Sequence, residues 1–285
     1  VAKSTENRLW ESGTAKIVKT GISVVLMVYT AIAVILIGNT FLSSFKDKDD
    51  LINNTLGFPK SFTLENFRYI LIDDSFGKYF LNSIVLSVLS VALLVFLAAM
   101  AAYGISKFQF RGSGVIQTYF LIGLMFPIQL GILPLFIMLT KVHLNNTLFG
   151  LILLYAANMS FDVYVFSKFF KGVPNSLSES ARIDGANEFA IFIQIIMPLS
   201  KPVLFTAGLI SFVQIWNDFY MPLVFLTKPS VRTLTLAVYT YMSNFLAKWN
   251  YVFAAVSMAL VPIIIVFFLF SDQIVAGLTG GAVKE

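Results

Sequence analysis

The chain has 285 residues and a net charge of +5; 58% of its residues are hydrophobic and only 12% are charged. Soluble domains sit near half apolar and a quarter charged, so this composition excludes an ordinary soluble enzyme and indicates a polytopic membrane protein. There is no cysteine and a single histidine, His143, which excludes a disulfide framework, thiolate metal sites and a His-based metal centre.

Residues 1–16 are polar and carry Lys3, Arg8 and Lys16 beside Glu6 and Glu11. The apolar run that follows, about 17–45, is too long for a signal-peptide core and reads as an uncleaved first span. Residues 46–77 form a charged loop in which Asp47, Asp49, Asp50, Asp73 and Asp74 match the basic residues, so the loop is placed outside. A second span covers about 79–105, and the turn after it holds Lys107 and Arg111 without an acid, the positive-inside pattern. The third span, about 115–139, contains Pro127 and Pro134 with Gly123 and Gly131. Such breakers are tolerated in a bilayer where neighbouring helices or a cavity satisfy the freed backbone groups. A brief outer turn leads to a fourth span at about 148–170.

Residues 174–202 then form a polar, charged connection between apolar segments. Pro174 suits the start of a helix, and Asp184-Gly185 marks a bend because glycine takes the left-handed conformation readily. Asn187 can cap a second helix on which Phe189, Phe192, Ile193 and Ile196 share one apolar face. Pro198 and Pro202 end it. This predicts a helix–bend–helix that docks on something outside the bilayer. A fifth span at about 203–226, an outer segment over 227–250 and a sixth span at about 252–270 follow. The fold class is therefore all-α, with six transmembrane helices around this helix–bend–helix and both termini on the cytoplasmic side. Residues 17–276 make the transmembrane domain, flanked by an N-terminal stretch, 1–16, and a tail, 277–285.

Asp162 and Asp218 are the acids that fall within spans, and an ionisable group at bilayer depth costs about 2.5–3.5 kcal/mol, so each should face a cavity or a partner. Asn158 and Asp162, four apart, share one face of the fourth helix; Asn217 accompanies Asp218 and Gln129 lies between the prolines of the third span. These five residues are candidates for a polar translocation path in which polar groups of a solute replace water. The alternative role is hydrogen bonding between helices or to a partner protein. No phosphate-cradling Gly-x-x-x-x-Gly-Lys-Ser/Thr motif is present, and His143 cannot belong to a hydrolytic triad, so the chain is not expected to be an enzyme. The tail keeps Leu278, Ala282 and Val283 among its glycines, which cannot form a stable helix by themselves, and is expected to be ordered by entering a groove.

The run Glu179-x-Ala181-x-x-Asp184-Gly185-Ala186, then Phe192, then Pro198-Leu199-x-Lys201-Pro202, resembles the EAA loop of ATP-binding-cassette importer permeases, in their carbohydrate-uptake, maltose-type branch. Asn82-Ser83, Ala101-Ala102-Tyr103-Gly104, Asn145-Asn146-Thr147, Trp216-Asn217-Asp218-Phe219 and the tail read like the same branch. Ser180 stands where the family usually has Ala, and Glu285 where relatives often carry Gly. The resemblance implies a sugar permease subunit in a bacterial or archaeal cell membrane, amid lipid and with no nucleic-acid partner. It would be paired with a second, homologous permease, an ATPase dimer and an extracellular solute-binding protein. It implies that Glu179, Ala181, Asp184, Gly185, Ala186, Phe189 and Phe192 couple to the ATPase, and that Gly280, Gly281, Ala282, Val283 and Lys284 contact the interface of the ATPase pair. No cofactor is expected in this chain, ATP and Mg being held by the ATPase. The segment 227–250, with Tyr239, Tyr241, Phe245 and Trp249, would reach into the binding protein or form an aromatic belt. A permease for a glycerol phosphate ester or a polyamine is the nearest alternative. A secondary transporter would need internal repeats and ion-coupling acids at broken helices, and gives the docking loop no role.

Overall fold

The computed structural model describes residues 13–73, 75–243 and 248–280, and among these every regular element is helical. Three helices, Lys16–Ser44, Phe76–Lys107 and Trp249–Ser271, are each long and apolar enough to cross a bilayer. Three bent pairs raise the count to six if each pair is one span.

The chain folds as two compact units, the first taking residues up to Asp73 together with the start of the last helix as far as Met258. In it, α1 (Gly13–Ser44) buries none of its apolar stretch inside the chain, leaving that surface to lipid or to protein outside it. The charged loop that follows is folded rather than open. Asp47 accepts from the Asp50 backbone at 2.7 Å and so caps α2 (Lys48–Asn53). The buried Lys46 ammonium donates to the carbonyl of Asn54 at 2.6 Å. Asn66, on α3 (Glu65–Arg68), donates to the carbonyls of Ser44 and Lys46 at 2.9 and 2.8 Å and accepts from Asn250 at 2.6 Å. A buried lysine and a buried asparagine are tolerable here because backbone carbonyls replace their water.

The second unit is organised on α4 (Phe76–Lys107). Ser83, Ser87, Ser90, Leu94, Ala98 and Ala102 recur on one stripe of this helix and are all buried. Small side chains at that spacing let neighbouring helices approach closely, which is how apolar helices associate without a hydrophobic driving force.

The third predicted span is broken. α5 (Ser113–Met125) ends at Phe126, a 3₁₀ turn covers Ile128–Gly131, and α6 (Ile132–Lys141) leaves at 95° to α5. Pro127 forces the preceding Phe126 into extended geometry (φ −92°, ψ 117°), which a helix cannot contain. The fourth span is also two helices, α7 (Leu148–Ala157) and α8 (Ser160–Lys171), bent by 46° across Asn158 and Met159. Asn158 and Asp162 therefore do not share one face of a continuous helix.

The docking segment holds α9 (Asn175–Ile183), α10 (Glu188–Ile191), a π-turn over Phe192–Ile196 and α11 (Met197–Leu199). After a 79° bend at Ser200, α12 (Lys201–Asn217) begins; it stops at Asp218, and the short α13 (Tyr220–Phe225) completes what the sequence reads as one fifth span. The outer segment contains α14 (Leu234–Ser243), with Leu234, Leu236 and Ala237 buried, so it is a packed element and not an open loop.

The last helix, α15 (Trp249–Gly280), has one non-helical residue, Phe270, and runs through Gly277 into the predicted tail. A glycine costs about 1 kcal/mol inside a helix, and a helix already nucleated upstream can extend through it where an isolated segment could not. Gly281, Ala282, Val283, Lys284 and Glu285 lie outside the described residues, as does Phe245.

Candidate coupling element and translocation cavity

The helix–bend–helix is closed by its own backbone. α9 ends with the Gly185 amide donating to the carbonyl of Arg182 at 3.1 Å and the Ala186 amide donating to Ala181 at 2.9 Å, with Gly185 at φ +86°. That pair of bonds around a left-handed glycine is the Schellman ending of a helix. Asn187 then caps α10, its side-chain oxygen accepting from the Ala190 amide at 2.8 Å. Arg182 and Glu188 bridge the bend at 2.6 Å, with a second bond from Nη2 at 3.3 Å. The guanidinium's hydrogen bond holds the Glu188 carboxyl below its ordinary range.

Both flanks of this element are tied to the end of α4. The Tyr103 hydroxyl donates to Glu188 at 2.9 Å, and the Lys107 ammonium donates to the Val173 carbonyl at 2.6 Å and to Asn175 at 3.0 Å. Underneath lies a core of Ala98, Ala102, Val163, Phe166, Phe170, Ile191, Phe192 and Ile196, against which Ala181 and Ala186 pack. Alanine at those two positions is therefore explained by close packing on the chain's own helices.

The residues expected to couple divide by direction. Glu179, Asp184, Gly185 and Phe189 are exposed, while Ala181, Ala186 and Phe192 face inward. The predicted apolar face is corrected: Ile191, Phe192 and Ile196 are buried, whereas Phe189 and Ile193 are 59% and 38% exposed. The π-turn winds more residues into a turn than an α-helix does, so the 3.6-residue count fails from Phe192 onward. Ile183, 87% exposed beside the bend, is an outward apolar residue that sequence reasoning passed over. It also missed the Arg182–Glu188–Tyr103 linkage, although opposite charges flanking an Asp-Gly bend were a visible signal.

Deeper in the same unit is a polar cavity of about 450 Å³. It forms where three helix breaks meet: Gln129 comes from the 3₁₀ turn, Asn158 from the α7–α8 break and Asp218 from the α12–α13 break. Irregular backbone at membrane depth is stable only where protein or a polar cavity satisfies it, so breaks and cavity explain each other. Asp162, in the first turn of α8, also lines the cavity; it is 2% exposed and its Oδ1 has no hydrogen-bond partner among the described residues. Asp218 accepts from the Tyr155 hydroxyl at 2.8 Å and from the Tyr220 and Met221 amides at 2.8 and 3.3 Å. It thus holds the start of α13 while bordering the cavity.

Asn217 is exposed, donates to the Val213 carbonyl at 2.9 Å and is not among the residues that line this cavity. Gln214, Ser160, Ser211 and Tyr155 are there instead. Gln214 was findable, since it lies four residues before Asp218 in the predicted fifth span. A larger groove of about 1100 Å³ is lined by apolar residues with only Lys201 and Gln273 as polar exceptions, and offers little to a hydroxyl-rich solute. His143 sits exposed on its turn, in the left-handed conformation at φ 58°.

The family described as binding-protein-dependent transport system inner membrane component matches residues 94–279, a stretch that includes the docking element and the cavity. The chain belongs to this family. Among the relatives of this transport component, the multiple sugar-binding transport system permease of Streptococcus mutans is 35% identical, over 86% of this chain and 90% of its own. The probable starch degradation products transport system permease of Thermoanaerobacterium thermosulfurigenes is 31% identical, over 86% of this chain and 89% of its own. A solved bacterial ABC transporter involved in the import of the acidic polysaccharide alginate shares the fold, with a TM-score of 0.82 and 23% identity over 92% of this chain and 98% of that one. As a member of the family, the chain is a multi-pass inner-membrane component of an ABC transporter.

Proposed function

We propose that this chain is the permease subunit of an ATP-driven importer for sugars, acting on oligosaccharides and forming half of the path. The observation that carries the mechanism is α4, which holds the docking element at one end through Tyr103 and Lys107 and contributes Leu94 to the cavity wall. Tyr103 lies nine helical steps beyond Leu94, about 14 Å at 1.5 Å per residue. A displacement imposed on the docking element would be carried to the cavity by a rigid rod and not lost in a flexible loop. Permeases with sugar-transport names that align over most of the chain support the substrate class.

In this reading the outward residues Glu179, Ile183 and Asp184 meet a separate ATPase subunit, which holds the ATP and Mg. Closure of the ATPase pair moves the docking elements, and the spans switch from inward- to outward-facing, a population shift between two conformations. A second, homologous permease supplies the other half of the path, and an extracellular binding protein delivers solute. Both termini then lie in the cytoplasm. The segment after Gly280 would enter the interface of the ATPase pair, so deleting 280–285 is expected to lower coupled ATP turnover without affecting insertion.

The direct test is copurification followed by reconstitution. The tagged chain should bring down an ATPase and a second permease, and ATP hydrolysis in proteoliposomes should rise when the solute-binding protein is added with its sugar. A chain that transports alone under an ion gradient would overturn the proposal.

A further inference from the structure

We infer that the polar cavity selects neutral or amino-bearing sugars and excludes acidic ones; this rests on the import reading above and adds the charge class of its substrate. The wall carries two carboxyl groups, Asp162 and Asp218, with the amides of Gln129, Asn158 and Gln214, and among the described residues no Lys, Arg or His lines it. Its strongest groups are therefore acceptors of hydrogen bonds. Asp218 already receives three donors from its own chain. Asp162 leaves one buried carboxylate oxygen without any. A buried acceptor with no partner costs free energy, which a donor entering the cavity recovers. A sugar hydroxyl is such a donor, and the ammonium of an amino sugar is a stronger one.

A uronate has the opposite effect. Its carboxylate would enter a low-dielectric cavity whose titratable groups are acids, with no cation among the described residues on this side of the path, and like-charge juxtaposition is strongly unfavourable in desolvated sites. The amides and hydroxyls of the wall can donate, but neutral donors offset a buried anion less well than a guanidinium fork. The selection is thus made by what the wall lacks as much as by what it holds, a discrimination built on repulsion as well as attraction.

The experiment uses the assembled transporter in nanodiscs, trapped outward-facing with ATP and vanadate, and three trisaccharide probes: maltotriose (neutral), deacetylated chitotriose (cationic) and trigalacturonate (acidic). Binding is measured by equilibrium dialysis without the binding protein, so that the permease alone discriminates. Trigalacturonate should bind at least about tenfold more weakly than maltotriose, and chitotriose at least as tightly. Asp162→Asn and Asp218→Asn should each shrink the acidic-to-neutral gap about threefold or more, and Asp162→Glu should keep it. Equal binding of the acidic and neutral probes to the wild-type complex overturns the inference while leaving sugar import intact, and needs no variant to fold. An unchanged gap in both Asn variants overturns it as well. If none of the three probes binds above an inert control, the sugar reading itself fails and the inference falls with it.

Discussion

Tyr103, near the end of the second span, donates a 2.9 Å hydrogen bond to Glu188, the first residue of the second docking helix. The two are 85 residues apart in the chain, and the same carboxylate is already bridged to Arg182 at 2.6 Å. The tyrosine ring also lies 5.4 Å from that of Phe192, so the contact is fixed both by a polar bond and by packing. It joins the helix–bend–helix, the element proposed to dock on a partner, to the helix that reaches the cavity.

Removing that bond should weaken coupling more than assembly. Tyr103→Phe keeps the ring and deletes the donor, a loss of about 1 kcal/mol, or roughly fivefold in an equilibrium between docked and slipped arrangements. Binding-protein-stimulated ATP turnover and uptake should fall together, with normal copurification of the complex. The double variant with Glu188→Ala should be less than additive, since both changes remove the same contact. Additive losses would place the effect elsewhere.

The bend at Gly185 gives a purely backbone prediction. A Cβ there meets nothing within 4 Å, yet φ is +86°. Gly185→Val should therefore cost about 1–2 kcal/mol through left-handed strain alone, and Gly185→Asn distinctly less. Stimulated ATPase activity in proteoliposomes should rank wild type, Asn, Val. Equal loss in both variants would instead indicate that the surface, not the turn, is disturbed.

Glu179 is exposed and points away from the chain's own core, so its replacement tests docking without disturbing packing. Glu179→Lys reverses a surface charge, and its thermal unfolding midpoint should stay near wild type. Binding-protein stimulation of ATP hydrolysis should drop by more than about tenfold if the residue meets a basic site on the ATPase. Unchanged stimulation and uptake would remove Glu179 from the docking surface.

Gly123 is held against Ser160, and a methyl group added at Gly123 would meet the serine hydroxyl. Both residues line the cavity, so Gly123→Ala should part α5 from α8 and destabilise by about 1–3 kcal/mol. The unfolding midpoint of the purified complex should drop along with uptake. Adding Ser160→Ala removes the obstructing oxygen and should restore most of both.

Asp218 has two roles that substitution can separate. Asp218→Ala removes the side chain that holds the start of α13 and should cost about 1 kcal/mol with poorer assembly, because the Tyr220 and Met221 amides lose their acceptor. Asp218→Asn keeps an acceptor, so assembly should persist while uptake or solute preference changes. Failure of the Asn variant to assemble would mean that the residue serves helix packing alone.

The membrane class, the helix–bend–helix and the family were determined by the sequence itself. Long apolar runs, an Asp-Gly bend followed by a capping Asn, and a polar motif between spans are local signals, and local physics decides them. The tertiary structure decided where spans break and what the breaks do. Pro127 announced an interruption, but neither its 95° angle nor the break at Asn158 follows from nearby residues, because each depends on neighbours that satisfy the freed backbone. The sequence named Asp162, Asp218, Gln129 and Asn158 as polar residues at depth; only packing brought them to one cavity and turned Asn217 away from it. The π-turn after Ile191 redistributed the apolar face of the docking helix, and Tyr103 met Glu188 across 85 residues. Periodicity is a one-dimensional signal with a single assumed pitch, and contacts at long separation are set by how whole helices settle against one another.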